Sequence, residues 1–127
     1  MDRVDLRVVT VAMTRGDLRS DVGELESTAV VRQRVLAARD RMAKRFAGTP
    51  WRLNGEVPGP QLRADWPLSA DTTRVADKAF DVGELTGRGY DRVLRVAWTI
   101  ADLAGREQPD QRDIEEAYEF RRQGFAA

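Results

Sequence analysis

A chain of 127 residues is long enough for one domain with a single, modest core. Acidic and basic residues balance at 21 each, so no global field draws the chain to nucleic acid or to a membrane, and any such role needs a local patch. Cysteine and histidine are both absent, which excludes disulfides, thiolate zinc sites, cysteine nucleophiles and histidine general bases.

All but two of the basic residues are arginine, and they are spread along the whole chain as a coding bias would spread them. No apolar run reaches the length of a bilayer span, and the N-terminus, MDRVDLRVV, has no signal-peptide core, so the chain reads as cytoplasmic, without a membrane partner. The acids fall at capping positions or on polar helix faces, and no carboxylate pair is marked for catalysis.

In residues 4–12, VDLRVVTVA, Val4, Leu6 and Val8 share one side of an extended segment while Val9 and Val11 share the other. A strand apolar on both sides belongs in the middle of a covered, usually parallel, sheet. The rest of the chain reads helical. The segment is therefore either the last strand of a sheet whose other strands lie outside this sequence, or an extension that lies on the helical part. Residues 13–25, polar and with Gly16 and Gly23, read as a connection.

Ser27 or Thr28 caps a helix that runs to Phe46, with Val31, Val35, Ala38, Met42 and Phe46 in one apolar stripe. Arg32, Arg34, Arg39, Arg41, Lys44 and Arg45 flank that stripe on both sides, which describes a solvated helix, and the last-turn pair Lys44 and Arg45 complements the macrodipole. Residues 47–67 hold four of the five prolines. Trp51, Leu53, Leu62 and Trp66 in that stretch are costly to leave in water, so it is expected to pack on the bundle, with a short helix from Pro60 through Trp66 stopped by Pro67. Ser69 caps a helix over 70–82 with Val75, Ala76, Ala79 and Phe80 inward, ended around Gly83.

Residues 85–105 carry the clearest pattern. Thr86 caps, Gly105 stops, and Val93, Ala97, Ile100 and Ala104, joined by Tyr90, Leu94 and Ala101, form one buried face. Arg88, Arg92, Arg95 and Thr99 form another. Arg88 sits in the first turn, where backbone N–H groups lack partners within the helix and an anion is welcome. The plainer account is a solvated arginine face. A last helix runs from Asp110 through Arg122, with Ile114, Ala117 and Tyr118 inward and Gly124 beyond its end. The expected fold is mainly α: a small bundle of about four main helices and one short one, with a short N-terminal strand-like segment.

The stretch TGRGYDRVLRVAWTIADLAG, at 86–105, resembles the signature near the end of magnesium-chelatase-like AAA+ ATPases of the bacterial ComM/YifB type. ESTAVVRQRVLAARDRMAKRF, at 26–46, is similar to the helix that opens the C-terminal region of that family, and DRVDLRV, at 2–8, to the segment that closes its ATPase core. The resemblance covers nearly the whole chain. It implies that residues 1–22 are the end of an α/β ATPase core and residues 23–127 a helical, AAA+ lid-like C-terminal domain.

By the same resemblance Arg3 is an arginine finger on a neighbouring subunit's nucleotide and Arg88 is the sensor-2 arginine. Both roles supply directional positive charge near a γ-phosphate whose charge shifts during transfer to water. Arg88 would also couple nucleotide state to lid position. The chain has no G-x-x-x-x-G-K-[ST] phosphate loop, and neither Lys44 nor Lys78 lies in such a context. ATP and Mg²⁺ are therefore expected cofactors of a full-length parent, with none for this chain alone, which would be inactive and monomeric. The implied partners are its own ATPase core and neighbouring subunits in a ring-shaped homo-oligomer acting on DNA.

Trp98 stands where the family leads one to expect a polar or basic residue, so its face is expected to touch a neighbour. Two other readings stay open. One is a helix-turn-helix-like DNA-binding module over 70–82 and 87–104, with Arg88, Arg92 and Arg95 toward the groove, opposed by net neutrality and by Asp91 and Asp102. The other is a helical protein-interaction domain that docks through Trp98.

Overall fold

The computed structural model describes residues 27–126, with side chains as far as Arg122. The strand expected over 4–12, the connection that follows it, and Arg3 lie outside the described residues. Within them the chain forms α1 (Thr28–Arg45), a 3-10 turn (Asn54–Glu56), α2 (Gly59–Asp65), α3 (Ala70–Asp81), α4 (Gly87–Ala104) and α5 (Gln111–Ala126). Among the described residues this is a small helical bundle without strands.

The helix starts follow their caps. Ser27, Ser69 and Thr86 accept the N–H groups of Val30, Thr72 and Gly89 at 3.2, 3.3 and 3.0 Å. Each satisfies one orphan donor and contributes about 1 kcal/mol. At α5, Asp110 and Asp113 cap each other: the N–H of Asp113 donates to the Asp110 carboxylate, and that of Asp110 to the Asp113 carboxylate, both at 3.0 Å. The bond from the Asp113 backbone, ahead of the nearby Arg106 charge, holds the Asp110 carboxyl below its usual range. α4 stops at Gly105, whose φ of +81° is left-handed, with Arg106 N–H donating to Ala101 O at 2.9 Å.

α4 is the central element, packed against α5, α1 and α3. Phe46, Leu62, Val93, Leu94, Ala97 and Ile114 are buried around it in one cluster. The proline-rich stretch packs on this core through Leu62, Trp51 and Trp66 as expected, whereas Leu53 is exposed. Trp66 meets Phe46 edge-on at 5.0 Å between ring centroids, and Trp51 meets Trp66 at 6.4 Å.

Several expectations are corrected. In α1 the stripe is buried only from Ala38 through Met42 to Phe46, while Val31 and Val35 are 42% and 37% exposed, because nothing among the described residues covers the first turns. Phe80 is exposed, edge-on to the Tyr90 ring. α5 continues through Gly124 rather than ending before it. Trp98 does not face a neighbour: it is 4% exposed, part of the core, with the Arg45 guanidinium 4.5 Å from its ring centroid.

Candidate functional site

The α3–α4 turn is fixed before Arg88 is reached. Gly83 adopts φ +81°, which lets the N–H groups of Glu84 and Leu85 both return to Ala79 O at 2.8 and 3.2 Å. From the other side, Tyr118 Oη on α5 donates to Glu84 Oε2 at 2.6 Å. Burial, then this carboxylate, push the Tyr118 hydroxyl pKa up. Leu85 is buried, and Thr86 closes the first turn of α4. Arg88 follows in that turn with an exposed side chain, and among the described residues no acid pairs with it. A free guanidinium on a rigid, positively polarised helix start can bind an anion without reorganising.

Beside it lies an open cleft of about 580 Å³ lined by Arg63, Asp77, Phe80, Asp81, Gly87 and Tyr90. Tyr90, Asp77 and Arg63 in its lining are already engaged. Tyr90 Oη donates to Asp77 Oδ1 at 2.6 Å, Thr73 Oγ1 donates to Asp77 Oδ2 at 2.9 Å, and Arg63 is paired with Asp91. Burial first, and the Asp77 bond second, push the Tyr90 hydroxyl to about 12. That keeps it a neutral donor. Among the described residues no cluster of Asp and Glu is placed to hold a metal ion, and no helix is long and apolar enough to cross a membrane.

The other arginines of α4 differ from Arg88. Arg95 is committed to structure: its Nε donates to Val57 O at 3.0 Å and ties the 3-10 turn to α4. Arg92 is half-buried. Among the residues that pattern reading missed, Arg45 matters most. Instead of serving the α1 dipole from solvent, it enters the bundle and grips Asp102 with two bonds of 2.8 and 2.7 Å. Asn54 completes the knot by accepting from Arg45 at 2.7 Å and donating to Asp102 at 2.9 Å and to Thr99 at 3.1 Å. An acid at position 102, next to Ala101 of the apolar face, was the one sequence signal of this knot. Its partners, 57 and 48 residues away, left no local trace.

Residues 25–121, a run that holds the capped start of α4 and all five helix starts, match the family described as the C-terminal region of magnesium chelatase subunit ChlI. The chain belongs to this family. A protein of Mycobacterium tuberculosis described only as uncharacterised is 44% identical over 124 residues, which are 98% of this chain and 24% of that protein. Competence protein ComM of Haemophilus influenzae and YifB of Escherichia coli are each 31% identical over 121 residues, 95% of this chain and 23% of their own. The chain thus spans about a quarter of the length of the curated relatives it matches. As a magnesium-chelatase C-terminal region it supplies a helical bundle in which the exposed Arg88 follows a turn tied to α5 by the Tyr118–Glu84 bond.

Proposed function

We propose that this chain is the C-terminal lid region of a longer AAA+ ATPase of the ComM/YifB type, with residues 1–22 closing the ATPase core and residues 23–127 forming the lid. The observation that supports this reading most is the exposed Arg88 on the capped, braced first turn of α4. ATP and Mg²⁺ would be held by the core, beyond this chain. Arg88, as sensor 2, would reach the γ-phosphate when the lid closes, a contact made only while that phosphate is present, and so would bias lid position by nucleotide state. Arg3 would reach the nucleotide of the next subunit in a ring-shaped homo-oligomer, and action on DNA follows from the family resemblance.

Packing favours this over a helix-turn-helix. A groove-reading helix needs a face free along its length, whereas α4 is enclosed by α1, α3 and α5, with Arg95 bonded to the loop. The test uses the complete polypeptide. Arg88→Ala and Arg3→Ala should each lower ATP turnover by about 10²-fold, the scale for losing one transition-state charge contact, with far-UV circular dichroism unchanged. Wild-type turnover in both variants would refute the assignment.

A further inference from the structure

We propose that Arg121, on α5, is a positioning residue for Arg88. This rests on reading Arg88 as the nucleotide-facing arginine. Arg121 is only 7% exposed, and its guanidinium lies against the backbone of the first turn of α4. A Cβ added to Gly89 would stand 3.0 Å from Arg121 Nε and 3.3 Å from Nη2, as well as 3.3 Å from Thr86 Oγ1. A side chain at position 89 would therefore require the guanidinium to give way by a few tenths of an ångström. The turn carrying Arg88 is clamped between its own cap, Thr86, and a side chain sent across from α5.

A cation at the N-terminal end of a helix opposes the macrodipole, where an acid would be favoured. Arg121 instead braces the backbone next to Arg88, its guanidinium lying against Gly89. α5 makes two contacts that serve the same turn: one helical turn before Arg121, Tyr118 holds Glu84. α5 thus acts as a strut from which the α4 start is aimed, and Arg121 works through Arg88 without touching the nucleotide.

The experiment measures steady-state ATP hydrolysis by the complete polypeptide, in wild type and in Arg88→Ala, Arg121→Met, Arg121→Lys, Gly89→Ala and the Arg88→Ala/Arg121→Met pair. Arg121→Met should lower kcat about tenfold, the parameter that Arg88→Ala lowers, with a smaller change in KM. Lysine should restore part of it. Gly89→Ala, which keeps the charge but crowds the guanidinium, should lower kcat in the same direction, and it decides the matter if Arg121→Met does not fold. Because Arg121 acts through Arg88, the pair should be no worse than Arg88→Ala alone. Wild-type KM and kcat in Arg121→Met, or in Gly89→Ala where that variant decides, beside a disabled Arg88→Ala would overturn the role of Arg121 and leave that of Arg88 standing. Normal turnover in Arg88→Ala would overturn both.

Discussion

Replacing Asp102 with alanine should cost this bundle more than any surface change. The Asp102 carboxylate is 0% exposed and the Arg45 side chain 12%. The acid receives two bonds from Arg45 and one from Asn54, all between 2.7 and 2.9 Å. Truncation leaves a guanidinium inside the bundle with only Asn54 and the rings of Phe46 and Trp98 to answer it. Removing one partner of a buried pair costs about 3–5 kcal/mol, a large share of the roughly 5–15 kcal/mol that holds a domain of this size. At about 4–8 °C per kcal/mol for a small domain, the melting temperature should fall by at least ~12 °C. Urea unfolding of the 127-residue chain, followed at 222 nm and by tryptophan fluorescence, measures it. Arg45→Met combined with Asp102→Leu removes both charges and should recover most of the loss, since a well-packed apolar substitute often matches a buried pair. A cost below about 1 kcal/mol for Asp102→Ala, the value of a surface pair, would refute this reasoning, as would a double variant no more stable than the single.

Tyrosine ionisation gives a pH prediction. The Tyr90 hydroxyl is raised to about 12, so the fold favours its protonated form; that stability is complete below the ordinary value of 10.0 and is lost as pH rises through about 12. Tyrosinate absorbance should accordingly show Tyr90 un-ionised at pH 10 while folded, and Asp77→Ala should lower its titration; ionisation at the ordinary value would contradict the burial argument. Gly59→Ala should destabilise despite alanine's better helix propensity. Its Cβ would overlap the Asp91 carboxylate and drive it from Arg63, a crowding that costs roughly 1–3 kcal/mol. Thermal melts that show equal or greater stability would count against that packing.

Helix positions were legible because caps and stops are local: Ser27, Ser69, Thr86 and Gly105 each act within a few residues of themselves. So was the packing of the tryptophans at 51 and 66 against the core, which follows from area alone. What escaped was decided by chain segments far apart in sequence. The inward turn of Arg45 depends on Asp102 and Asn54 meeting it, and the exposure of Val31 and Val35 depends on how far the other helices reach. Trp98 is misread for the same reason. Its departure from the polar or basic residue that the family leads one to expect pointed to a contact with a neighbour, whereas Arg45 stacks over it inside the bundle. At the candidate site, Arg88 was marked by its place in a first turn, whereas Arg121 carried no signal, since only folding brings α5 onto Gly89.

The partial burial of α1 divides one continuous helix into two regimes of stability. From Thr28 to Ala37 every residue is exposed, whereas Ala38, Met42 and the Arg45 knot tie the second half to the core. A short helical run with so little of the described chain packed against it is marginal in water. Amide exchange should therefore be fast through this run and slow abruptly from Ala38 onward, where opening requires the core itself to give way. A far-UV signal summed over α1 will then lose part of its amplitude before the cooperative transition begins, and a two-state fit to that signal alone will understate the stability of the bundle.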